Sequence, residues 1–218
     1  MGALDALGCF VSEIDIESET IKMIDTKEFK QEIITAGLDN NELDKYKERK
    51  SKNLIADPFN YNLSKIKYKE DGRKYFIAEQ RLNGYEETPD KRISFLKLND
   101  VYIIDLDKQN KIEPINKISK RQMNYYPWYL SYSETCIDNT HYLIFNTTKK
   151  TKLKARVLAS ISNGGVAEKI ELLKYKGNNN RGIIPIRNNI SDPNTILFTT
   201  LQYPLCKHYS FVKLRIEE

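Results

Sequence analysis

The chain has 218 residues, room for one large domain or two small ones, and its 40% apolar and 30% charged residues form a globular composition that excludes a disordered chain. Thirty-five Lys and Arg against 30 Asp and Glu leave a net charge of +5, and the signs alternate along most of the chain as on a solvated surface. Fourteen Tyr and eight Phe among many Ile and Leu lean toward β-structure.

Residues 1–8 lack the basic start and apolar run of a secretion signal, and no stretch approaches the length of a transmembrane helix. The run Ala6-Leu7-Gly8-Cys9 superficially matches a lipoprotein cleavage box, but Asp5 precedes it and no hydrophobic segment leads into it. Residues 9–24 read as two β-like runs. Asp25-Thr26-Lys27-Glu28 has the spacing of a capping box, and Phe29, Ile33 and Ile34 give a short apolar face that stops at Gly37. Residues 40–50 are polar and charge-alternating, so 26–52 is expected to be a helical insert on the surface.

Three later windows, 63–80, 129–146 and 183–200, each read as a β-like run, a polar turn and a strongly apolar β-like run. Their turns are Glu70-Asp71-Gly72, Asp138-Asn139-Thr140 and Asp192-Pro193-Asn194. A second unit follows each, at 101–118, 155–173 and 209–218, with a Gly164-Gly165 hairpin turn in the middle copy. Corresponding positions Leu106, Ile161 and Ile216 lie 55 residues apart and 55 again, and Ile16 holds that place in an opening copy.

Two hairpins per period make a four-stranded antiparallel sheet of propeller-blade size. The expected fold is therefore all-β and mainly antiparallel: a partial β-propeller of about three to four four-stranded blades with a short inserted helical segment. As one domain over 1–218, it would have 9–25 as the outer strands of a preceding or closing blade, 26–52 as the insert, 63–118 and 129–174 as blades, and 183–218 as a blade lacking its last strand. Open blade edges invite self-association or a protein partner.

At Phe76-Ile77-Ala78-Glu79-Gln80, Ile118-Ser119-Lys120-Arg121-Gln122 and Tyr142-Leu143-Ile144-Phe145-Asn146 the chain resembles an uncharacterised group of large Bacteroidetes-type bacterial proteins. Ser119 stands where that group usually has Pro, and Thr147 where it usually has Asp. The resemblance implies a longer, exported parent protein and so an extracytoplasmic location, periplasmic or secreted. It implies no activity.

Reactive constellations are sparse. Cys9, Cys136 and Cys206 are odd in number and widely spread, which gives neither a disulfide framework nor a metal cluster. His141 and His208 are the only histidines, too few and too far apart for a zinc site. Nucleophile-elbow, phosphate-loop and dinucleotide patterns are absent, so no cofactor is called for. Asp105-Leu106-Asp107-Lys108-Gln109-Asn110 begins as a calcium loop begins, but it lacks the glycine and the bidentate glutamate, so a plain turn is the preferred reading. Glu79, Glu86, Glu87 and Asp90 could be paired acids for glycoside cleavage or simply a polar loop after a core strand.

Glu79, Gln80, Lys120 and Gln122 sit at strand ends where polar groups can converge on a ligand, with a structural Glu79–Lys120 ion pair as the alternative. In the run 125–129, Tyr126 and Trp128 are further ligand-binding candidates by stacking, and Tyr132 lies just beyond; the same rings could equally fill the core. Lys149, Lys150, Lys152, Lys154 and Arg156 form the one compact basic run, either a phosphate-contacting patch or a lysine-rich sheet edge, so nucleic acid is a minor candidate. The leading expectation is a non-catalytic binding or scaffold module. A carbohydrate-binding or carbohydrate-active protein using the 125–132 aromatics is second, and weak nucleic-acid binding third.

Overall fold

A computed structural model describes residues 8–35, 40–52, 60–87, 89–125, 130–149, 152–162, 167–174, 180–185, 195–203 and 209–216. These residues are mostly antiparallel β-structure in open sheets, as the many β-branched and aromatic runs favour. Among them no helix is long and apolar enough to cross a membrane. The chain divides into two units, Met1–Ala78 with Val101–Ser119, and Glu79–Asp100 with Lys120–Glu218.

The first unit opens with the hairpin β1 (Gly8–Asp15) and β2 (Thr20–Glu28), which form a two-stranded sheet of their own. Asp15 shapes the turn: its Oδ1 accepts from the backbone N–H of Glu17 at 3.0 Å and of Ser18 at 3.3 Å. A register shift between Val11 and Ser12 marks a bulge. At the base of the hairpin Gly8 faces Glu28, and a Cβ at Gly8 would fall 2.3 Å from the Lys27 carbonyl oxygen. Only glycine lets the strands approach there.

Helices α1 (Gln31–Thr35) and α2 (Asn40–Ser51) follow. The helical segment begins later than the sequence suggests, because Thr26 to Glu28 remain in β2. The Asp-x-x-Glu spacing does not cap a helix here. Tertiary contacts claim Asp25 instead: its Oδ2 accepts from the Ile112 backbone N–H at 2.7 Å, while Lys27 Nζ donates to the Ile112 carbonyl oxygen at 3.0 Å. Both peptide groups of Ile112 are thus held by side chains of β2.

Strands β3 (Asn60–Leu63) and β4 (Lys67–Tyr68) border the first part of β5 (Lys74–Glu87), and the last part of β6 (Arg92–Leu106) carries β7 (Asn116–Ile118). Gly72, at φ 85°, provides the left-handed residue of the β4–β5 turn. The core of this unit gathers Ala78, Tyr102, Ile104, Leu106, Ile112 and Ile115, with Cys9 and Val11 of β1 packed on it. The Phe29 ring stacks on Tyr102 at 5.0 Å between centroids, and Tyr61 meets Tyr102 edge-on at 5.8 Å.

In the second unit β5 runs on to Glu87 and β6 begins at Arg92, so Glu79 to Glu87 are strand and not the polar loop that their acids suggest. Packing explains the extension. Gly84 leaves room for the Phe95 ring, and Arg92 lies over the Tyr85 ring at 3.2 Å. Strand β8 (Gln122–Asn124) pairs with β6 at Leu96 to Leu98.

Next come β9 (Ser133–Ile137), β10 (Thr140–Lys149), β11 (Lys152–Ser162) and β12 (Glu168–Lys174), a four-stranded sheet in the order β12-β11-β10-β9. The β9–β10 turn has Asp138 at φ 43° and Asn139 at φ 66° between the paired Ile137 and Thr140, the two-residue hairpin geometry that suits Asp and Asn. Strands β13 (Asn180–Pro185), β14 (Thr195–Tyr203) and β15 (Tyr209–Arg215) make a three-stranded sheet. Ile144 of β10 joins Ile183, Ile196 and Phe198 in one buried cluster, with Tyr142, Leu158, Val212 and Leu214 packed around it. The two sheets of this unit share that core. The turns at Gly164-Gly165 and Asp192-Pro193-Asn194 lie outside the described residues.

Candidate functional site

Three of the polar residues singled out in the sequence meet inside the second unit. Glu79 is carried by β5, Lys120 by the segment entering β8, and Gln122 by β8 itself, where it pairs with Leu98 of β6. Lys120 Nζ donates to Glu79 Oε1 at 2.6 Å and to Gln122 Oε1 at 2.5 Å. The Glu79 and Lys120 side chains are both 0% exposed. Ser131 Oγ donates to Glu79 Oε2 at 3.0 Å, and the Tyr132 ring centroid lies 5.9 Å from Lys120 Nζ. Gln80 is also buried, but alternation along β5 turns it to the face opposite Glu79.

The network continues through two side-chain amides. Gln122 Oε1 accepts from the Ser131 N–H at 2.8 Å, and Gln122 Nε2 donates to the carbonyl oxygens of Ser131 at 3.1 Å and Asn146 at 2.8 Å. The Asn146 side chain in turn donates to the Ile183 carbonyl oxygen at 2.7 Å and accepts from the Ile183 N–H at 3.1 Å. Each amide therefore completes both peptide groups of a single residue on another segment. Ser131 is held in a left-handed conformation, φ 78°, which is uncommon for a residue with a Cβ and persists only where its surroundings fix it.

A buried carboxylate beside a buried ammonium has the parts for proton transfer, but catalysis also needs a substrate to reach them. Here both side chains are 0% exposed, and among their partners are each other, Gln122 and Ser131. Such an arrangement satisfies the desolvation demands of two charges and fixes the chain around them. It positions backbone.

The other candidates divide in the same direction. Lys69 Nζ lies 2.6 Å from Asp105 Oδ1, with both side chains nearly fully buried. Asp107 Oδ1 accepts from the N–H groups of Gln109 and Lys111, both at 2.8 Å. The calcium-like run is thus built as a turn. His141 is fully buried in β10, and among the described residues no three His, Cys, Asp or Glu side chains group as metal ligands. Burial pushes the Cys9 thiol up, more strongly than Lys27 pulls it down, which leaves it a poor nucleophile at neutral pH. Lys149 and Lys152 are register partners where β10 meets β11, and Arg156 reaches over the Phe198 ring at 5.3 Å. Tyr132 is turned into the core, while Tyr126, Trp128, Lys150, Cys206 and His208 lie outside the described residues.

Asn146 and Ser131 were not singled out as site residues by the sequence pattern, although both complete the network. Asn146 carries a visible signal, an amide ending the apolar run Tyr-Leu-Ile-Phe. A polar group at the end of a buried strand needs a buried partner. Ser131 carries none, because its conformation is imposed from Gln122 and Glu79.

Comparison with protein-family models, curated proteins and solved structures finds no match to this chain. The fold and network define a mostly antiparallel β-protein with a buried ion pair tied to its backbone, and nothing in the comparisons identifies a bacterial family.

Proposed function

We propose that this chain is a non-catalytic binding or scaffold module, with repeated antiparallel sheets arranged as blades of a partial β-propeller. One observation carries the reading: the Glu79–Lys120 ion pair, both side chains 0% exposed, is hydrogen-bonded to Ser131 and Gln122. The shared core of the β9–β12 and β13–β15 sheets supports the stacking of like units. The resemblance over about residues 25–150 supports, within this proposal, an exported parent protein. Tyr132 is buried beside Lys120 and Arg156 lies over the Phe198 ring, while Tyr126 and Trp128, on which a glycan reading rests, lie outside the described residues.

A broad substrate panel, hydrolytic and transfer, tests the proposal on the full chain. The expected result is no turnover that depends on Glu79 or Asp107. Turnover abolished by Glu79→Ala or Asp107→Ala in a folded variant would overturn it.

A further inference from the structure

The opening hairpin has two unlike faces. Cys9 and Val11 point from β1 into the core of the first unit, which sends Phe10, Ser12 and Ile14 to the other side. The register adds β2 to that outer side, since Ile14 faces Ile21 and Ser12 faces Met23. Phe10 is 65%, Ile14 65%, Ile21 71% and Met23 57% exposed, and Ile16 at the tip is 86% exposed. At the positions that the 55-residue spacing aligns with Ile16, Leu106 and Ile161 are each 2% exposed and Ile216 is half-buried.

Charge is sorted between the same two faces. Glu13 pairs with Lys22 and Asp15 with Thr20, all on the side opposite the apolar set. The outer face from Phe10 to Met23 bears no charge, so two such faces can meet without opposing like charges. Phe10, Ile14, Ile21 and Met23 exposed to this extent offer about 500 Å² per copy, so a two-fold contact buries about 1,000 Å², the least that a specific interface requires. A membrane surface fits less well, because the hairpin's charges between Phe10 and Met23 are Glu13, Asp15, Glu17, Glu19 and Lys22, mostly acidic, and not the cationic rim that anionic lipid attracts.

We infer that two copies of this chain pack face to face through Phe10, Ile14, Ile21 and Met23 of the opening hairpin, about a two-fold axis. A two-fold contact closes, so assembly stops at the dimer. The inference deepens the binding-module reading by naming its partner and rests on that reading only in taking the partner to be a protein. Loss of the dimer leaves that reading standing, whereas Glu79-dependent turnover removes the reading and leaves the dimer.

Sedimentation velocity of the full chain from about 1 to 300 μM, the range in which contacts of this size operate, tests it. The expected result is a concentration-dependent shift from monomer to twice the monomer mass and no further. Ile14→Glu and Met23→Glu should each weaken association at least about tenfold, as removal of a buried apolar side chain and introduction of like charge require. Ile14→Thr should weaken it less while keeping strand propensity, and Lys22→Glu on the opposite face should leave it unchanged. A monomer throughout the range, assembly that continues past the dimer, association unaffected by both glutamate variants in chains with wild-type circular dichroism, or a mass shift seen only with anionic vesicles would each overturn the inference.

Discussion

The side chain of Asn146 holds both backbone groups of Ile183, donating to its carbonyl oxygen at 2.7 Å and accepting from its N–H at 3.1 Å. Asn146 stands on β10 and Ile183 on β13, so one amide supplies the hydrogen bonds that a neighbouring strand would otherwise give. Asn146→Ala should leave two buried peptide groups unsatisfied and cost about 2–4 kcal/mol. Asn146→Asp keeps the acceptor but sets a buried carboxylate oxygen against the Ile183 carbonyl oxygen, so at neutral pH it should cost at least as much as alanine. Urea unfolding at equal m-values reads both.

Ser131 gives a second prediction, because its hydroxyl and its backbone act in opposite senses. Ser131→Ala removes the bond to Glu79 Oε2 while keeping the left-handed strain, and Ser131→Gly removes the same bond but relieves the strain. The glycine variant should be the more stable of the two by about 1 kcal/mol. The reverse order in thermal or chemical melts would show that φ at this position is not strained.

Acid should act on the first unit through Asp25. The N–H of Ile112 holds the Asp25 carboxyl below the usual carboxylate range, with smaller help from the Thr26 N–H and the charges of Lys27 and Lys111. A carboxyl depressed in the folded state contributes stability that is fully present above its unfolded value of about 3.9 and is lost as pH falls through the folded value. The Ile112 amide resonance should therefore titrate with a midpoint below about 3.9, the free carboxyl value. Asp25→Asn should flatten the acid limb of the stability profile. Asp15 and Asp71 are lowered by hydrogen bonds within their own turns and should titrate on the same side of the free value.

At the hairpin base, Gly8→Ala places a methyl group against backbone, 2.3 Å from the Lys27 carbonyl oxygen, where no rotamer change can make room. The Gly8–Glu28 end of the pairing should open. Hydrogen exchange of the β1 and β2 amides should accelerate while the β9–β12 sheet keeps its protection.

The local rules read well where the chain obeys them. Asp138-Asn139 announced a hairpin because the turn needs two residues that tolerate positive φ, and the alternating apolar runs announced the strands on either side. Asp25 to Glu28 misled because the same spacing suits a helix start and a strand end, and only the distant Ile112 decides between them. Glu79 to Glu87 misled for a related reason: their charges suggest a loop, while Gly84 beneath Phe95 keeps them in the sheet. The pairing of Glu79 with Lys120 was legible as two charges next to apolar runs, but the clamps on Ser131 and Ile183 follow no period. A hydrogen bond from a side chain to a peptide 37 residues away leaves no local trace.

The most direct test of the account is a double-mutant cycle with Glu79→Gln, Lys120→Met and both together, followed by urea unfolding. If these charges serve each other and the backbone around them, each single replacement should cost about 3–5 kcal/mol, and the pair should cost at least about 2 kcal/mol less than their sum. Small, additive losses within about 0.5 kcal/mol, in variants that keep the fold, would contradict the claim that the two side chains are there to hold the structure together.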